Sequence, residues 1–299
     1  MCKIAYVLFL ALFSNMATAQ NVAITMDDFR LTDDPLLSGK EKDERILKTL
    51  AKNKVDIALF VIGSEAEKPL SAQRLAVWNR TNHIIANHTY SHAPYNRIAF
   101  QKFSEDILNA ETVLSKYQRF QKYFRFTMLK EGDTQDKRDQ LRTFLKRQGY
   151  KQGYVTIDAS DWYVNARLIA RLKLNPNADT KPYRDYYLQH IWERTQFYDN
   201  LAQKVLGRNV KHTLLIHHNL LNALFLNDLL EMFRGKGWTI ISARDAFTDP
   251  IFQMEPKIVP AGESILWGLT KETGRFENLL RYPAEDEIYE KDAMDKLGL

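Results

Sequence analysis

Val55–Ile62 reads Val-Asp-Ile-Ala-Leu-Phe-Val-Ile, a run that is almost wholly apolar. In a parallel sheet, helices pack against both faces, so a central strand has no wet side and loses the apolar–polar alternation of a half-exposed strand. The stretch therefore predicts a buried strand of a parallel sheet. That prediction places the protein in the α/β class.

Short β-type runs alternate with amphipathic stretches on both sides of this strand. The other predicted strands are 22–26, 83–87, 124–127, 154–158, 213–217 and 238–241. The predicted helices are 41–53, 67–79, 100–116, 137–147, 184–206 and 221–233. Seven β–α repeats in a row indicate an α/β fold. Seven parallel strands over about 230 residues favour a distorted, incomplete (β/α) barrel over an open sheet.

Two stretches fall outside this repeat pattern. Residues 165–183 are polar and contain two prolines, so they predict a long loop, which in a compact domain is often functional. After Pro250 the repeats give way to a segment punctuated by proline and glycine. We expect a main domain over 20–249 and a C-terminal extension, 250–299, that packs on it.

The composition indicates a folded globular protein, with 45% hydrophobic and 26% charged residues. The net charge is +5 over 299 residues. A surplus this small, without a basic run that includes aromatic residues, argues against a nucleic-acid-binding protein. No obligate protein partner is inferred either.

The amino terminus has the pattern of a secretory signal peptide. Lys3 precedes an apolar run over 4–13, and an A-x-A site follows at 17–19. A buried first helix or strand is the alternative. The run is too short to span a bilayer, which needs about 20 residues, and no other segment is long and apolar enough. Cleavage after Ala19 would remove Cys2, the only cysteine, so we expect a thiol-free protein in the periplasm or outside the cell.

Polar residues collect where the predicted strands end. They are Asp27, Asp28, His88, His92, Arg125, Asp158, Asp161, Trp162, His217 and His218. In α/β barrels the carboxyl ends of the strands meet at one rim, and the chemistry lies there. The sequence therefore predicts one site that gathers carboxylates, histidines and an arginine.

The spacing of His88 and His92 indicates a metal site. At i, i+4 on a helical turn both face one side, and a nearby carboxylate would complete three ligands and leave positions open for water. Two unrelated surface histidines are the alternative. A neighbouring pair of acids favours the metal.

Asp27 and Asp28 can serve one site only if the strand ends or kinks there, since neighbours on a regular strand point to opposite faces. One acid would then bind the metal and the other act as a base; a helix cap or a solvated turn is the alternative. Arg125 could hold the base ionised by its opposite charge or form a structural salt bridge. His217 closes an apolar strand, so a core histidine with no role in the site is the alternative at this position. Because side chains alternate, His218 should face away.

These motifs resemble those of the polysaccharide deacetylase family, the NodB-homology esterases of carbohydrate esterase family 4. Residues 25–28 (Thr-Met-Asp-Asp) resemble T-F-D-D, and residues 88–92 (His-Thr-Tyr-Ser-His) match H-[ST]-x-[ST]-H. Residues 158–162 match D-x-x-D-W and residues 215–217 match L-x-H. The motifs occur in the family order and span roughly 22–245, most of the mature chain.

The resemblance implies a role for each motif residue and a distorted (β/α) barrel. The implied roles are Asp27 as general base, Asp28, His88 and His92 as metal ligands, His217 as general acid, Asp161 as the residue that orients it, Arg125 as the contact of Asp27, and Trp162 as an apolar wall near the acetyl group. The implied reaction removes acetyl groups from a polysaccharide, favouring N-acetylhexosamine residues, with water activated at a divalent metal. Zinc is the default ion.

The third motif departs from the family pattern. R-x-P-Y is usual, whereas residues 125–128 read Arg-Phe-Thr-Met. The family uses the backbone near that tyrosine as an oxyanion donor, so we expect an altered oxyanion hole or groove. Two other functions stay open, and the first of them follows from this departure. They are a catalytically impaired carbohydrate-binding protein of the same fold and a metal-dependent hydrolase of a different bond.

Overall fold

The computed structural model describes residues 20–299, and the predicted signal peptide lies outside the described residues. The strands are β1 Asn21–Asp27, β2 Ala58–Val61, β3 Ile84–Asn87, β4 Phe120–Phe124, β5 Lys130–Gly132, β6 Lys151–Gln152, β7 Lys211–His217, β8 Thr239–Ile240 and β9 Ala261–Gly262. The helices are α1 Gly39–Asn53, α2 Gly63–Ala66, α3 Pro69–Trp78, α4 Phe100–Leu114, α5 Gln135–Arg147, α6 Asp161–Leu174, α7 Lys181–Leu206, α8 Leu220–Gly235, α9 Ala243–Ala246, α10 Ile265–Thr273 and α11 Glu287–Lys296.

Seven of the strands form one parallel sheet in the order β6–β4–β3–β2–β1–β7, with β8 also paired to β1. The sheet curls so that the segment after β6 returns to β7. There a single bridge joins Ile157 to Leu214. The barrel is therefore closed at one point only, which confirms the predicted distorted, incomplete (β/α) barrel.

The apolar stretch that predicted the fold forms the middle of this sheet. Ala58, Leu59, Phe60 and Val61 are completely buried, and β2 pairs with β1 on one side and β3 on the other. Leu59 and Val61 pack in the main core, whereas Ala58 and Phe60 pack in a second cluster with Ala23 and Ala86 of the neighbouring strands. The side chains on both faces of β2 are therefore removed from water, which stabilises the fold. The prediction of a doubly covered central strand is confirmed.

The predicted long loop at 165–183 is wrong. Helix α6 continues to Leu174, and only residues 175–180 connect it to α7. Val164, Leu168 and Leu172 recur every four residues and are fully buried, a helical stripe that the intervening polar residues masked. Pro182 stands in the first turn of α7, where the missing N–H costs no hydrogen bond.

Two predicted strands also differ in their bounds. The strand predicted at 124–127 ends at Phe124, so Arg125 follows β4 instead of lying within it. The strand predicted at 154–158 is reduced to the bridge at Ile157, because this part of the chain lies at the open side of the barrel and has a partner on one side only. Both changes leave Arg125 and the Asp158–Trp162 motif at the carboxyl edge of the sheet.

The C-terminal segment, residues 250–299, contacts the barrel at several points. Strand β9 pairs with β5, helix α10 packs against α7, and the Ser264 hydroxyl donates to the Thr156 carbonyl at 2.8 Å. The boundary at residue 249 stays a prediction. Among the described residues, no helix combines the length and the apolar character needed to cross a bilayer.

A buried ion pair joins α5 and β5 beneath this segment. Arg142 binds Glu131 in a bidentate manner at 2.7 and 2.8 Å, and it also donates to the Pro256 carbonyl at 3.0 Å. Replacing Glu131 with alanine leaves the guanidinium buried without its carboxylate. We expect the free energy of unfolding to fall by about 3–5 kcal/mol. Urea denaturation measures it, with Asp185→Ala, in an exposed pair with Lys181, as the control that changes little. A loss below about 1 kcal/mol, typical of surface pairs, would contradict the assignment.

Candidate metal and catalytic site

The end of β1 brings the carboxylates of Asp27 and Asp28 to one site. Strand β1 ends at Asp27, and Asp28 has a left-handed backbone with a φ of 59°, which aspartate tolerates better than most residues. The regular alternation of side chains stops at this point. The structure therefore meets the condition set by the sequence, that the strand ends between the two acids.

His88 and His92 converge on Asp28. The Nε2 atom of His92 lies 3.0 Å from Asp28 Oδ1, and that of His88 lies 3.5 Å from the same oxygen. The predicted helical turn is wrong, because Thr89 and His92 have φ values of 65° and 61°. A loop brings the rings together instead. The Asn87 side chain accepts from the Thr89 amide, and the Thr89 hydroxyl accepts from the His92 amide.

This triad fits a divalent metal. The ligand atoms of Asp28, His88 and His92 lie within 4.8 Å of one another. His88 donates from Nδ1 to the Arg125 carbonyl at 2.9 Å, which leaves Nε2 free for an ion. Asp28 Oδ1 is buried, and it accepts no hydrogen bond from any residue in the range 20–299. Two imidazoles and one carboxylate with open positions suit first-row ions.

The charge states of these ligands agree with metal binding. Burial lowers the pKa of His88, which favours the neutral imidazole that coordinates metals. Burial alone would raise the pKa of Asp28, but the His92 side chain at 3.0 Å and the positive charge of His217 outweigh it and hold that pKa well below its usual range. The carboxylate is therefore ionised.

Asp27 is fixed beside the triad by a buried arginine. Arg125 Nη1 donates to Asp27 Oδ1 at 2.7 Å and to the Thr25 hydroxyl at 2.9 Å, while its Nε donates to the Gly153 carbonyl at 2.8 Å. The other oxygen of Asp27 lies 3.7 Å from His88 Nε2. The carboxylate thus has one oxygen bound to Arg125 and one directed toward the candidate metal ligands.

His217, on the neighbouring strand, is partly buried and forms a second pair, with the fully buried Asp161. Its Nδ1 lies 2.7 Å from Asp161 Oδ1, and the second oxygen of Asp161 accepts from the His217 amide, Asn219 and Asn222 at 2.9–3.0 Å. Burial by itself would lower the pKa of His217. The charge of Asp161 and its hydrogen bond prevail and raise that pKa to about 10. The imidazole is therefore protonated at neutral pH.

The structure also shows where Trp162 and His218 lie. Trp162 stands in the first turn of α6 and is 39% exposed, so it is open to a ligand at the rim. His218 turns away, as alternation requires, and contacts Asp43 at 3.1 Å and the Arg30 carbonyl at 3.3 Å. Only one of the two adjacent histidines faces the site.

The departing third motif has its own local structure. Thr127 is fully buried, and its hydroxyl donates to the Ala93 carbonyl, next to His92, at 2.7 Å. Met128 and Leu129 both have φ values of 53°, a strained backbone for residues with a Cβ. A hydrogen bond from Thr127 thus connects this turn to the loop of His92, at the position where the family has proline.

Sequence reasoning missed three residues that hold the site together: Thr25, Asn219 and Asn222. Asn219 caps α8 by accepting from the Asn222 amide at 2.9 Å. An asparagine just after a strand and before an apolar helical stretch signals such a cap. Nothing local to the sequence indicates that either side chain also reaches Asp161.

The parallel sheet and the polar groups at its carboxyl edge define an α/β protein with a candidate metal site of two histidines and one carboxylate. A family model described as polysaccharide deacetylase matches residues 15–153. That match confirms the resemblance seen in the motifs over this part of the chain. It covers Asp27, Asp28, both ligand histidines and Arg125, and it ends before Asp161 and His217.

Known proteins of this kind resemble the chain at low identity. A peptidoglycan N-acetylglucosamine deacetylase of Bacillus cereus is 31% identical over 105 residues, which are 35% of this chain and 34% of that protein. The alignment thus spans about a third of the relative.

Solved structures confirm the fold alone. A peptidoglycan deacetylase of Bacillus subtilis, PdaC, superposes with a TM-score of 0.51 at 18% identity, covering 77% of this chain and 91% of that one. A CE4-family pseudoenzyme of Bacillus anthracis reaches a TM-score of 0.54 at 13% identity, covering 77% and 66%. The same fold therefore occurs in a deacetylase and in a pseudoenzyme, and the chemistry must be argued from the site itself.

Proposed function

We propose that this protein removes acetyl groups from an acetylated polysaccharide, with N-acetylhexosamine residues as the favoured substrate. The observation that carries the proposal is the arrangement of charge around the candidate metal triad. On one side lies a carboxylate, Asp27, held by a buried arginine. The neighbouring strand presents an imidazole, His217, held by a buried carboxylate. Hydrolysis of an amide or ester needs such a base and such an acid beside an electrophilic centre.

Asp28, His88 and His92 would hold the metal, with zinc as the default ion. A divalent ion at these ligands supplies a Lewis acid toward the acetyl carbonyl and lowers the pKa of a water molecule beside it. Asp27 would accept the proton of the attacking water on Oδ2, the oxygen that faces the triad. Arg125 would keep that carboxylate in place during the transfer.

His217 would donate a proton to the amine or alkoxide that leaves. Its Nδ1 binds Asp161, so Nε2 is the nitrogen free to donate. The high pKa of the imidazole keeps the donor protonated across the neutral range. Trp162 would cover the acetyl methyl group at the rim. We also propose that the protein is exported and acts in the periplasm or outside the cell, on the basis of its amino-terminal pattern.

Replacing Asp161 with asparagine should shift the pH dependence of the reaction. The raised pKa of His217 depends on the charge of Asp161, so its removal lowers that pKa from about 10. The protonated donor is then lost at lower pH, and the descending alkaline limb of kcat moves toward neutrality. A pH–rate profile of both proteins measures the shift. An alkaline limb that stays in place would show that His217 is not the acid.

The test of the proposed function is acetate release by the purified chain, stripped with chelator and then reloaded with zinc. The substrates are a panel of N- and O-acetylated glycans. Release that requires the metal supports the proposal, and the panel identifies the substrate class. Acetate release that is unchanged after the chelator has removed the metal would overturn the metal mechanism.

A catalytically impaired carbohydrate-binding protein is the second candidate, favoured by the third motif. The turn at Thr127 and Met128 lacks the Pro-Tyr pair of the family, and the Met128 side chain is 58% exposed at this turn. A protein of this type would bind zinc and glycan yet release no acetate. The same panel, followed by binding of the unhydrolysed glycans, separates the two candidates.

A further inference from the structure

The start of α6 lacks the usual cap. Ser160 is the N-cap residue and is completely buried, but its hydroxyl caps nothing, and within residues 20–299 it has no hydrogen-bond partner. Its backbone amide, in contrast, donates to Nε2 of His190 at 2.9 Å. The residue that directly follows is Asp161. The backbone of the Asp161 segment is thus anchored by a side chain from α7.

The direction of this hydrogen bond determines the tautomer of His190. A backbone N–H can only donate, so Nε2 carries no proton and the ring proton lies on Nδ1. Nδ1 lies 3.1 Å from Glu290 Oε2, to which it donates. Both side chains are buried, at 4% and 5% exposed. A carboxylate, an imidazole and a backbone amide therefore form a continuous chain of hydrogen bonds.

Glu290 comes from α11 in the C-terminal segment and is itself fixed. Its carboxylate accepts from the Tyr186 hydroxyl at 2.7 Å and from Arg281 at 3.2 Å. The side chains of His190 and Tyr186 stand one helical turn apart on α7 with parallel rings. Removing any member would leave a buried polar group without a partner, which is costly.

We propose that His190 and Glu290 are positioning residues for the Asp161–His217 pair, which makes the C-terminal segment part of the working site. Within residues 20–299, the hydrogen bonds to the Asp161 carboxylate come from His217, Asn219 and Asn222, on β7 and the start of α8. His190 holds the backbone of the same segment from α7. Together they fix the carboxylate relative to the imidazole. This inference rests on the proposed function for its effect on rate, but not for its effect on structure.

The test compares His190→Phe with His190→Gln and Glu290→Gln. Phenylalanine fills the space but leaves the Ser160 amide without an acceptor. Glutamine at 190 places an oxygen near the position of Nε2 and should restore the bond. Glutamine at 290 keeps the shape and removes the charge that orients the imidazole. Should His190→Phe fail to fold, the two glutamine variants still test the idea.

His83→Phe is the matched control. His83 is equally buried, at 4% exposed, and accepts a backbone amide, that of Ile57, at 3.2 Å. It lies before β3, at the opposite end of the sheet from the site. The His83→Phe substitution should lower the stability of the protein without changing the position of Asp161.

Two readouts are measured on the full chain: amide exchange by mass spectrometry over residues 158–164, and kcat and KM for a soluble acetylated substrate. We expect His190→Phe to speed exchange and to lower kcat by about 10- to 100-fold with KM little changed, as misplacement of a catalytic group does. His190→Gln should recover most of both, and Glu290→Gln should fall between. His83→Phe should change neither.

The proposal is overturned if His190→Phe and Glu290→Gln affect exchange and kcat no more than His83→Phe does. A wild-type chain that releases no acetate from any glycan would refute the proposed function instead. In that case the exchange comparison alone decides whether His190 and Glu290 position the Asp161 segment.

Discussion

The Asp27→Asn variant is expected to lose nearly all acetyl release while keeping its fold and its metal. Asparagine has the same shape and can still accept from Arg125, but it cannot take a proton from water. Loss of a general base lowers kcat by about 100- to 10,000-fold. The measurement is acetate release at saturating substrate, together with zinc content by mass spectrometry and a thermal melt of each protein.

Asp133→Asn is the control for this variant, since Asp133 pairs with Lys137 at the surface, far from the triad in the chain. It should retain full activity. An Asp27→Asn protein that keeps more than a tenth of the wild-type kcat would show that another group accepts the proton. Loss of zinc along with activity would instead indicate that Asp27 is a metal ligand.

The Asp28→Asn variant is expected to lose the metal itself. Its Oδ1 atom lies within 3.5 Å of both ligand histidines and has no other hydrogen-bond partner in the described chain. The amide lacks the negative charge that stabilises a divalent ion. Loss of an outer partner of a metal ligand lowers metal affinity by about 10- to 100-fold. Loss of the ligand itself should lower zinc affinity by more than that. Calorimetric titration of the chelator-stripped protein with zinc measures it.

Asp56→Asn gives the matched comparison. Asp56 lies 3.7 Å from His83 and so forms an aspartate–histidine contact without a third ligand. It should leave zinc binding unchanged. Equal zinc affinity in wild type and Asp28→Asn would mean that the ion, if bound, occupies another place.

The central strand of the fold could be predicted from the sequence because burial on two faces leaves a clear pattern. Residues 58–61 of the run at 55–62 form β2, a shorter strand than predicted but in the expected place. The helix α6 could not be recognised in the same way. Its buried residues Val164, Leu168 and Leu172 are separated by arginines and an asparagine, and two prolines nearby suggested a loop. A three-residue apolar stripe in a polar stretch is a weak signal until the neighbouring helix that covers it is known.

The residues of the site also fall into those that the sequence could predict and those that it could not. Asp27, Asp28, His88, His92, Asp161 and His217 stand at strand ends within short motifs, so the sequence could bring them to one rim. The way in which His88 and His92 meet could not be predicted, since a loop with two left-handed residues replaces the helical turn. Asn222 reaches Asp161 from the start of α8, and His190 and Glu290 hold the Asp161 segment from α7 and α11. Their roles depend on tertiary contacts that no local pattern records.

The pairing of β1 with β7 has a consequence for how this site can diverge. Asp27 and His217 are direct partners in the register of two parallel strands, so the separation of the two residues is determined by the hydrogen-bond ladder of the sheet. Loops around the rim can lengthen, shorten or change sequence without altering that separation. The parts that would recognise different glycans are therefore free to vary independently of the parts that would move protons.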